Sequence, residues 1–404
     1  MIQSFIYKFL KRRHFWRYAS FSEVAELYTA RFLRQSAGFL ISMFVVVYMY
    51  QEGYSLSQIS LFYVWYFVFK SFVAYFAALY AARFGPKHGM LMANILSIPA
   101  LMAFSVLSEY GWVALIVFSI FQSTSITLYQ QCHLISFSKV KHADNAGKEI
   151  SFMNIIDKVT ASLSPLIGGL IAWQFGPQAA VWLAVILYSV AALPLLRSAE
   201  PVITRQKISF TAFPWRNTWR SLLAGTALGV DTAASVIIWP LFLAAVLFAG
   251  SGDDVYAKIG GLASVTLVVS FLASRMYGTL IDRSKGRELL HYAVIGNSLA
   301  HVSRVFVVTP FSAALVNVIN EVATTGMMMA FTRGEFDLAD RTGHRIAYLY
   351  LVELAQGVGF VLLFLILSLL LMFVDDKTSF MMVFVITALL TLSVSLARFP
   401  LYRK

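Results

Sequence analysis

Charge is scarce in this chain. Asp, Glu, Lys and Arg make up 13% of its 404 residues, about half the share of a soluble domain. A water-soluble fold of this size is thereby excluded, since 59% of the residues are hydrophobic. Cysteine is nearly absent too. The single Cys132 rules out an internal disulfide, and no cysteine-ligated metal site is expected. No glycine-rich phosphate loop occurs, so ATP is not the energy source, and no His-Glu-x-x-His pattern offers a zinc site. His133, His291 and His301 are scattered. The first residues hold no short apolar stretch followed by a small-residue cleavage site, so no cleaved signal peptide is expected. Enzyme chemistry, cofactor and metal are all left without a candidate.

What the chain has instead is long apolar runs. A bilayer core takes about 20 such residues per helix, and only helices or closed barrels satisfy every backbone group there. The runs do not alternate, which disfavours a barrel. Twelve spans are expected, at roughly 31–50, 57–81, 89–107, 112–136, 150–174, 179–197, 221–248, 256–281, 288–309, 311–333, 345–373 and 378–398. Breakers such as Glu52-Gly53, Tyr110-Gly111, Gly176-Pro177 and Thr309-Pro310 stand between them. The longest polar interruption, near 198–220, divides the chain. The expected fold is therefore an all-α membrane protein, twelve transmembrane helices in two pseudo-symmetric six-helix bundles, 31–197 and 221–399. A basic segment (1–30) precedes them and a short tail (400–404) follows.

Orientation follows from the 32 Lys and Arg residues, which outnumber the 20 acids. With the N-terminus inside, only Lys258 and Lys377 fall outside, while Lys70, Lys158, Arg275 and Arg304 lie within spans. All others sit in cytoplasmic segments or at their helix ends, as the positive-inside rule requires. A multi-pass protein of the cytoplasmic membrane with both termini cytoplasmic is expected. The net charge of +12 then faces anionic lipid and needs no nucleic acid. Ile2, Phe5, Ile6, Phe9 and Leu10 recur at helical spacing beside Lys8, Lys11, Arg12 and Arg13, the pattern of a helix lying on the inner leaflet.

Between spans eight and nine the chain reads Gly278-Thr279-Leu280-Ile281-Asp282-Arg283-Ser284-Lys285-Gly286-Arg287. This resembles the G-x-x-x-D-R-x-G-R loop of the major facilitator superfamily, with one inserted residue. The matching place between spans two and three keeps Arg83 and Gly85 but has Ala82 where the acid would stand. In span five, Ser164-Pro165-Leu166-Ile167-Gly168-Gly169 resembles that family's G-P-x-x-G-G element. The resemblance implies two six-span halves and a cytoplasmic gate built on Arg83, Gly85, Gly278, Asp282, Arg283, Gly286 and Arg287. These arginines could equally be plain topological signals. Ser164, Pro165, Gly168 and Gly169 are expected to let helices approach closely, and Trp239-Pro240 to kink span seven.

Ionisable groups inside spans are costly and mark function. Asp231, Glu321 and Lys70 lie near mid-depth, and Glu353 about a third of the way into span eleven. Each acid is a candidate proton carrier or substrate contact; the alternative is a fixed partner of Lys70, Arg275 or Arg345. Asp157 and Lys158 are expected to pair locally, and Arg304 to snorkel to the outer surface. By the resemblance, spans one, four, seven and ten line the cavity. Gln122 in span four and Asn317 and Asn320 in span ten are therefore expected to bind substrate. The expected function is secondary active transport of a small molecule by a monomer, using alternating access and proton coupling. Export of amphipathic or drug-like compounds is favoured. Nutrient uptake by symport, or a receptor, scaffold or lipid-handling role without transport, are the alternatives.

Overall fold

Apolar runs of this length satisfy their amides and carbonyls only as helices, and the computed structural model shows them so. It describes residues 21–140, 146–196, 208 and 210–402, so the amphipathic pattern at 2–13 lies outside the described residues. Among the described residues, twelve long helices follow one another. They are α1 (Phe21–Gln51), α2 (Leu56–Phe84), α3 (Pro86–Ser105), α4 (Trp112–Val140), α5 (Ala146–Phe175) and α6 (Pro177–Leu195). The second set is α7 (Trp215–Leu247), α8 (Asp254–Asp282), α9 (Gly286–Arg304), α10 (Pro310–Arg341), α11 (Arg345–Phe373) and α12 (Asp376–Leu396). Twelve crossings bring residues 21 and 402 to the same face, called the terminal side below.

Local sequence fixes the turns. Ser55 and Thr309 each close a capping box at the start of α2 and α10, and Asp375 accepts from the Thr378 amide at the start of α12. That amide holds the exposed Asp375 carboxyl below the usual carboxylate range. Gly176, at φ +84°, makes the corner ahead of Pro177.

The two halves pack alike. Within the first, α1 lies on α5 and α6, and α4 on α2 and α3; within the second, α7 lies on α11 and α12, and α10 on α8 and α9. Between them run two seams, α2 against α11 and α5 against α8, which exchange under the same two-fold relation. The α2–α11 seam carries the Phe67–Phe360 ring stack at 3.9 Å between centroids. In the α5–α8 seam, Ser151 Oγ donates to the Ser274 carbonyl at 2.7 Å. Gly169 lies so close to α8 that a Cβ there would come within 2.5 Å of the Tyr256 carbonyl oxygen. Gly168 and Gly169 thus allow close backbone approach, and α5 runs unbroken through Pro165.

Two helices are irregular in mid-span. Trp239-Pro240 sits between two π-helical turns, Ala234–Ile238 and Leu243–Leu247; the missing proline N–H leaves a carbonyl of the preceding turn to be accommodated by local overwidening. Helix α8 is interrupted between Ser264 and Leu267. Eleven of the twelve helices are long and apolar enough to cross a membrane; α9 is not among them. Its sequence carries Asn297, His301 and Arg304 on one face, at spacings of four and three residues.

Candidate functional site: a charged cavity between the two bundles

A cavity of about 350 Å³ lies between the bundles, near the lower end of ordinary ligand pockets. Its walls come from α1, α5, α7, α8, α9 and α10. The irregular stretches of α7 and α8 face it, with Trp239, Pro240 and Thr266 in the lining. Five ionisable side chains line it: Asp157, Lys158, Asp231, Arg304 and Glu321. Neutral hydrogen-bonding groups surround them, among them Gln35, Asn154, Ser235, Asn317, Asn320 and Thr324.

On the first-half wall, Arg31 clamps Asp157 with two bonds, Nε to Oδ1 at 2.9 Å and Nη2 to Oδ2 at 2.5 Å. Gln35 adds a third donor to Oδ1 at 3.2 Å. The next residue, Lys158, reaches across to the other half, with Nζ 3.0 Å from Glu321 Oε1. Thr325 also donates to that oxygen at 3.0 Å. This ion pair joins α5 to α10 and so ties the two bundles together inside the cavity wall.

The second-half wall is built on Asp231. Its Oδ1 accepts from Asn297 Nδ2 at 2.6 Å and lies 2.6 Å from His301 Nε2. Arg304 Nη1 lies 2.9 Å from His301 Nδ1, while Nη2 donates to Ser235 Oγ at 3.1 Å and Asn320 Oδ1 at 3.2 Å. Asn320 and Thr324 both donate to Asn297 Oδ1. The guanidinium also lies over the Trp239 ring, 5.0 Å from its centroid, and Trp239 donates to Asn317 Oδ1 at 2.9 Å.

Of the sequence candidates, Asp231, Glu321, Asn317 and Asn320 thus share one cavity. Lys70 and Glu353 do not line it; they pair with each other across the α2–α11 seam. Gln122 is buried in the first bundle and also stands outside the cavity lining. Ser125 of the same helix faces the interior of that bundle. Arg34 donates to Asn94 Oδ1 at 2.6 Å and to Ser125 Oγ at 3.0 Å, with its guanidinium over the Tyr129 and Tyr188 rings. The expectation that Arg304 snorkels is corrected: it is 1% exposed, because polar side chains on α7, α9 and α10 turn it inward. His301 is likewise part of the cluster. Lys158 pairs across the interface, and the three acids of the cavity meet Arg31, Lys158 and His301 rather than Lys70 or Arg275.

The loop motif is placed on the terminal side. Gly85 joins α2 to α3 at φ +94°, and Arg83 lies over the Phe84 ring. Gly278 is buried in α8, Asp282 is its last residue, and Arg283 and Arg287 are exposed. A Cβ on Gly286 would lie 2.4 Å from the Tyr402 ring, and the Tyr402 hydroxyl donates to the Ala330 carbonyl at 2.8 Å. The end of the described chain therefore folds back onto this loop.

The fold is that of known transporters. Among solved structures, the human organic anion transporter MFSD10 superposes with a TM-score of 0.65 at 10% identity, covering 92% of this chain and 99% of that one. A bacterial homologue of the iron transporter ferroportin, in its outward-facing state, gives 0.65 at 14% identity, with coverage of 93% and 98%. The transporter FucP in the outward conformation gives 0.66 at 12%, again over 93% and 98%. The search among curated proteins found no match. The family model of the Major Facilitator Superfamily matches residues 27–336, about three quarters of the sequence, and the chain belongs to that superfamily.

Proposed function

We propose that this protein is a proton-coupled secondary transporter of a small polar solute, which binds in the central cavity and crosses by alternating access. One observation carries the reading: the cavity holds an ion pair, Lys158–Glu321, whose two members belong to different bundles. Rocking of the halves must break such a pair, and in a poorly hydrated wall either ion left alone costs several kcal/mol. Protonating Glu321 neutralises one member and releases the contact. Proton occupancy then biases which way the cavity faces, and a ligand or proton shifts such an equilibrium only by its differential affinity for the two states. The family's membership in a transporter fold, the absence of an ATP motif and the charged lining all point the same way.

The lining fits a small solute that carries a charged or hydrogen-bonding group. Hydrogen-bonding and charged side chains converge there from both bundles, beside apolar ones such as Phe39, Trp239, Leu243, Ile259 and Leu262. The reading is tested in proteoliposomes with an imposed pH gradient, using counterflow across a panel of small polar solutes. Glu321→Gln is expected to lower gradient-driven accumulation about tenfold or more, equivalent to about 1.4 kcal/mol of lost bias, while counterflow persists. Full pH-driven accumulation in that variant would remove Glu321 from the coupling path. No flux of any solute in the wild type would remove transport itself.

A further inference from the structure

Cross-bundle pairing accounts for Glu321 but leaves the most deeply buried ions of the cavity unused. Asp231 and Arg304 are each 1% exposed and His301 is fully buried. Their protonation follows from chemistry alone. Arginine has only donors, so His301 Nδ1, facing Arg304 Nη1 at 2.9 Å, must present a lone pair. The single ring proton then sits on Nε2 and is donated to Asp231 Oδ1. The relay is guanidinium, neutral imidazole, carboxylate, with a net charge of zero.

Among the described residues, Arg304 is also the cavity cation with no carboxylate against it. Lys158 has Glu321, and Arg31 behind the wall has Asp157. The acceptors around Arg304 are the neutral His301, Ser235 and Asn320, and its Nε is buried without an acceptor. A buried guanidinium held only by neutral groups keeps the capacity to take an external carboxylate in a bidentate, charge-assisted contact.

We propose that Arg304 binds the carboxylate of a small organic monoanion and that His301 takes up one proton with it, so that the solute and a proton travel together. The inference rests on the transport reading for the role of the cavity. Nδ1 can accept an Arg304 N–H or carry a proton, not both. A carboxylate that draws the guanidinium toward the cavity exposes Nδ1. A proton from water then forms an N–H bond there, and Asp231 remains the carboxylate partner of Nε2–H. An anion alone would leave the cluster at −1 and a proton alone at +1; together they leave it at zero. Each therefore strengthens the binding of the other, and by linkage the strengthening is equal in both directions.

Other groups around the ring do not compete for that proton. The charged neighbours of His301 are Asp231 and Arg304. On α10, Glu321 is held by Lys158 and Thr325. Helix α12 brings Phe384 to Arg304 and the Ala388 carbonyl to Ser298 of α9, and Arg275 on α8 is exposed.

The test uses the full chain in nanodiscs with a matched set of ligands: acetate, lactate and benzoate as anions, benzamide as the neutral control and benzylamine as the cation. Thermal stabilisation by at least one anion, with none by benzamide or benzylamine, is expected. Its apparent Kd should tighten about tenfold per unit fall in pH, with about one proton taken up per anion in weakly buffered solution. His301→Asn keeps an acceptor for Arg304 and His301→Gln keeps a donor to Asp231, yet neither can be protonated. Both should bind the anion more weakly and without proton uptake, and a role confined to packing would not move that pH profile. Arg304→Met should lose anion binding. Stabilisation by none of the anions, or unchanged proton uptake in both His301 variants, overturns the inference. Anion binding with proton uptake but no flux in proteoliposomes would instead count against the transport reading.

Discussion

Lys70→Met is expected to destabilise the protein by about 3–5 kcal/mol, the usual effect of removing one member of a buried ion pair. The Lys70 and Glu353 side chains are only 13% and 5% exposed, in the seam that also holds the stacked Phe67 and Phe360 rings. Deleting the ammonium leaves Glu353 without its counter-ion between two apolar helices. The second half of the prediction separates pairing from packing. In the double variant Lys70→Met, Glu353→Gln, both charges are gone, and stability should return to within about 1 kcal/mol of the wild type, because an apolar or neutral replacement of a whole buried pair is often nearly neutral. The measurement is a double-mutant cycle on loss of helical signal during titration with a denaturing detergent. A coupling energy near zero would show that the two side chains do not meet. The pair bridges α2 and α11, so the single variant should also loosen the join between the bundles, whereas a defect confined to one bundle would leave that join intact.

The fold was legible in the sequence because its causes are local and repeated. Apolar length gave each span, Gly176-Pro177 and Thr309-Pro310 gave their corners, and the Ala82–Asp282 offset exposed the duplication. Helix α9, the one of the twelve that falls short of a span by length and composition, supplies part of the site. Asn297, His301 and Arg304 recur at helical spacing, and that periodicity is readable in the sequence. By the resemblance, however, other spans line the cavity, and Arg304 lies near enough to the helix end to suggest snorkelling. What turns it inward is the acceptor set on other helices: Ser235, Asn320 and, through His301, Asp231. No one-dimensional pattern carries such convergence.

The pairings show the same limit. Composition marks Lys70, Lys158, Glu321 and Glu353 as costly, which is enough to make them candidates. Which base meets which acid depends on the way α2 faces α11 and α5 faces α10, and that is a property of the assembled halves. Gln122 illustrates the converse. It is buried on a face of α4 that is turned into the first bundle, where Ser125 meets Arg34, and it stands outside the cavity lining.

Gly260→Leu is expected to leave both bundles folded and yet arrest the exchange between facing states. A Cβ at this position would come within 2.4 Å of the Pro165 carbonyl oxygen, across the α5–α8 seam. The acceptor is backbone on the other bundle, so no side-chain rotation relieves the clash; the seam itself must part. Overpacking of this kind costs about 1–3 kcal/mol. Charged against the closed seam alone, it shifts the balance between states by about 5–150-fold. Gly260 lies two turns into α8 from the side opposite the termini, so the cavity should stand open there. A reporter at Ile259→Cys, buried and lining the cavity, placed in a Cys132→Ala background, should then react faster with a membrane-impermeant thiol reagent by a comparable factor. Gly229 supplies the contrast. Its Cβ would come within 2.1 Å of the Gln356 carbonyl oxygen, but α7 and α11 belong to one bundle and have no reason to separate during transport. Gly229→Leu should therefore cost folded protein outright, while Gly260→Leu costs transport. Equal losses of folded protein in the two variants would mean that the α5–α8 seam is as fixed as the interior of a bundle, and the rocking of the halves about that seam would have to be abandoned.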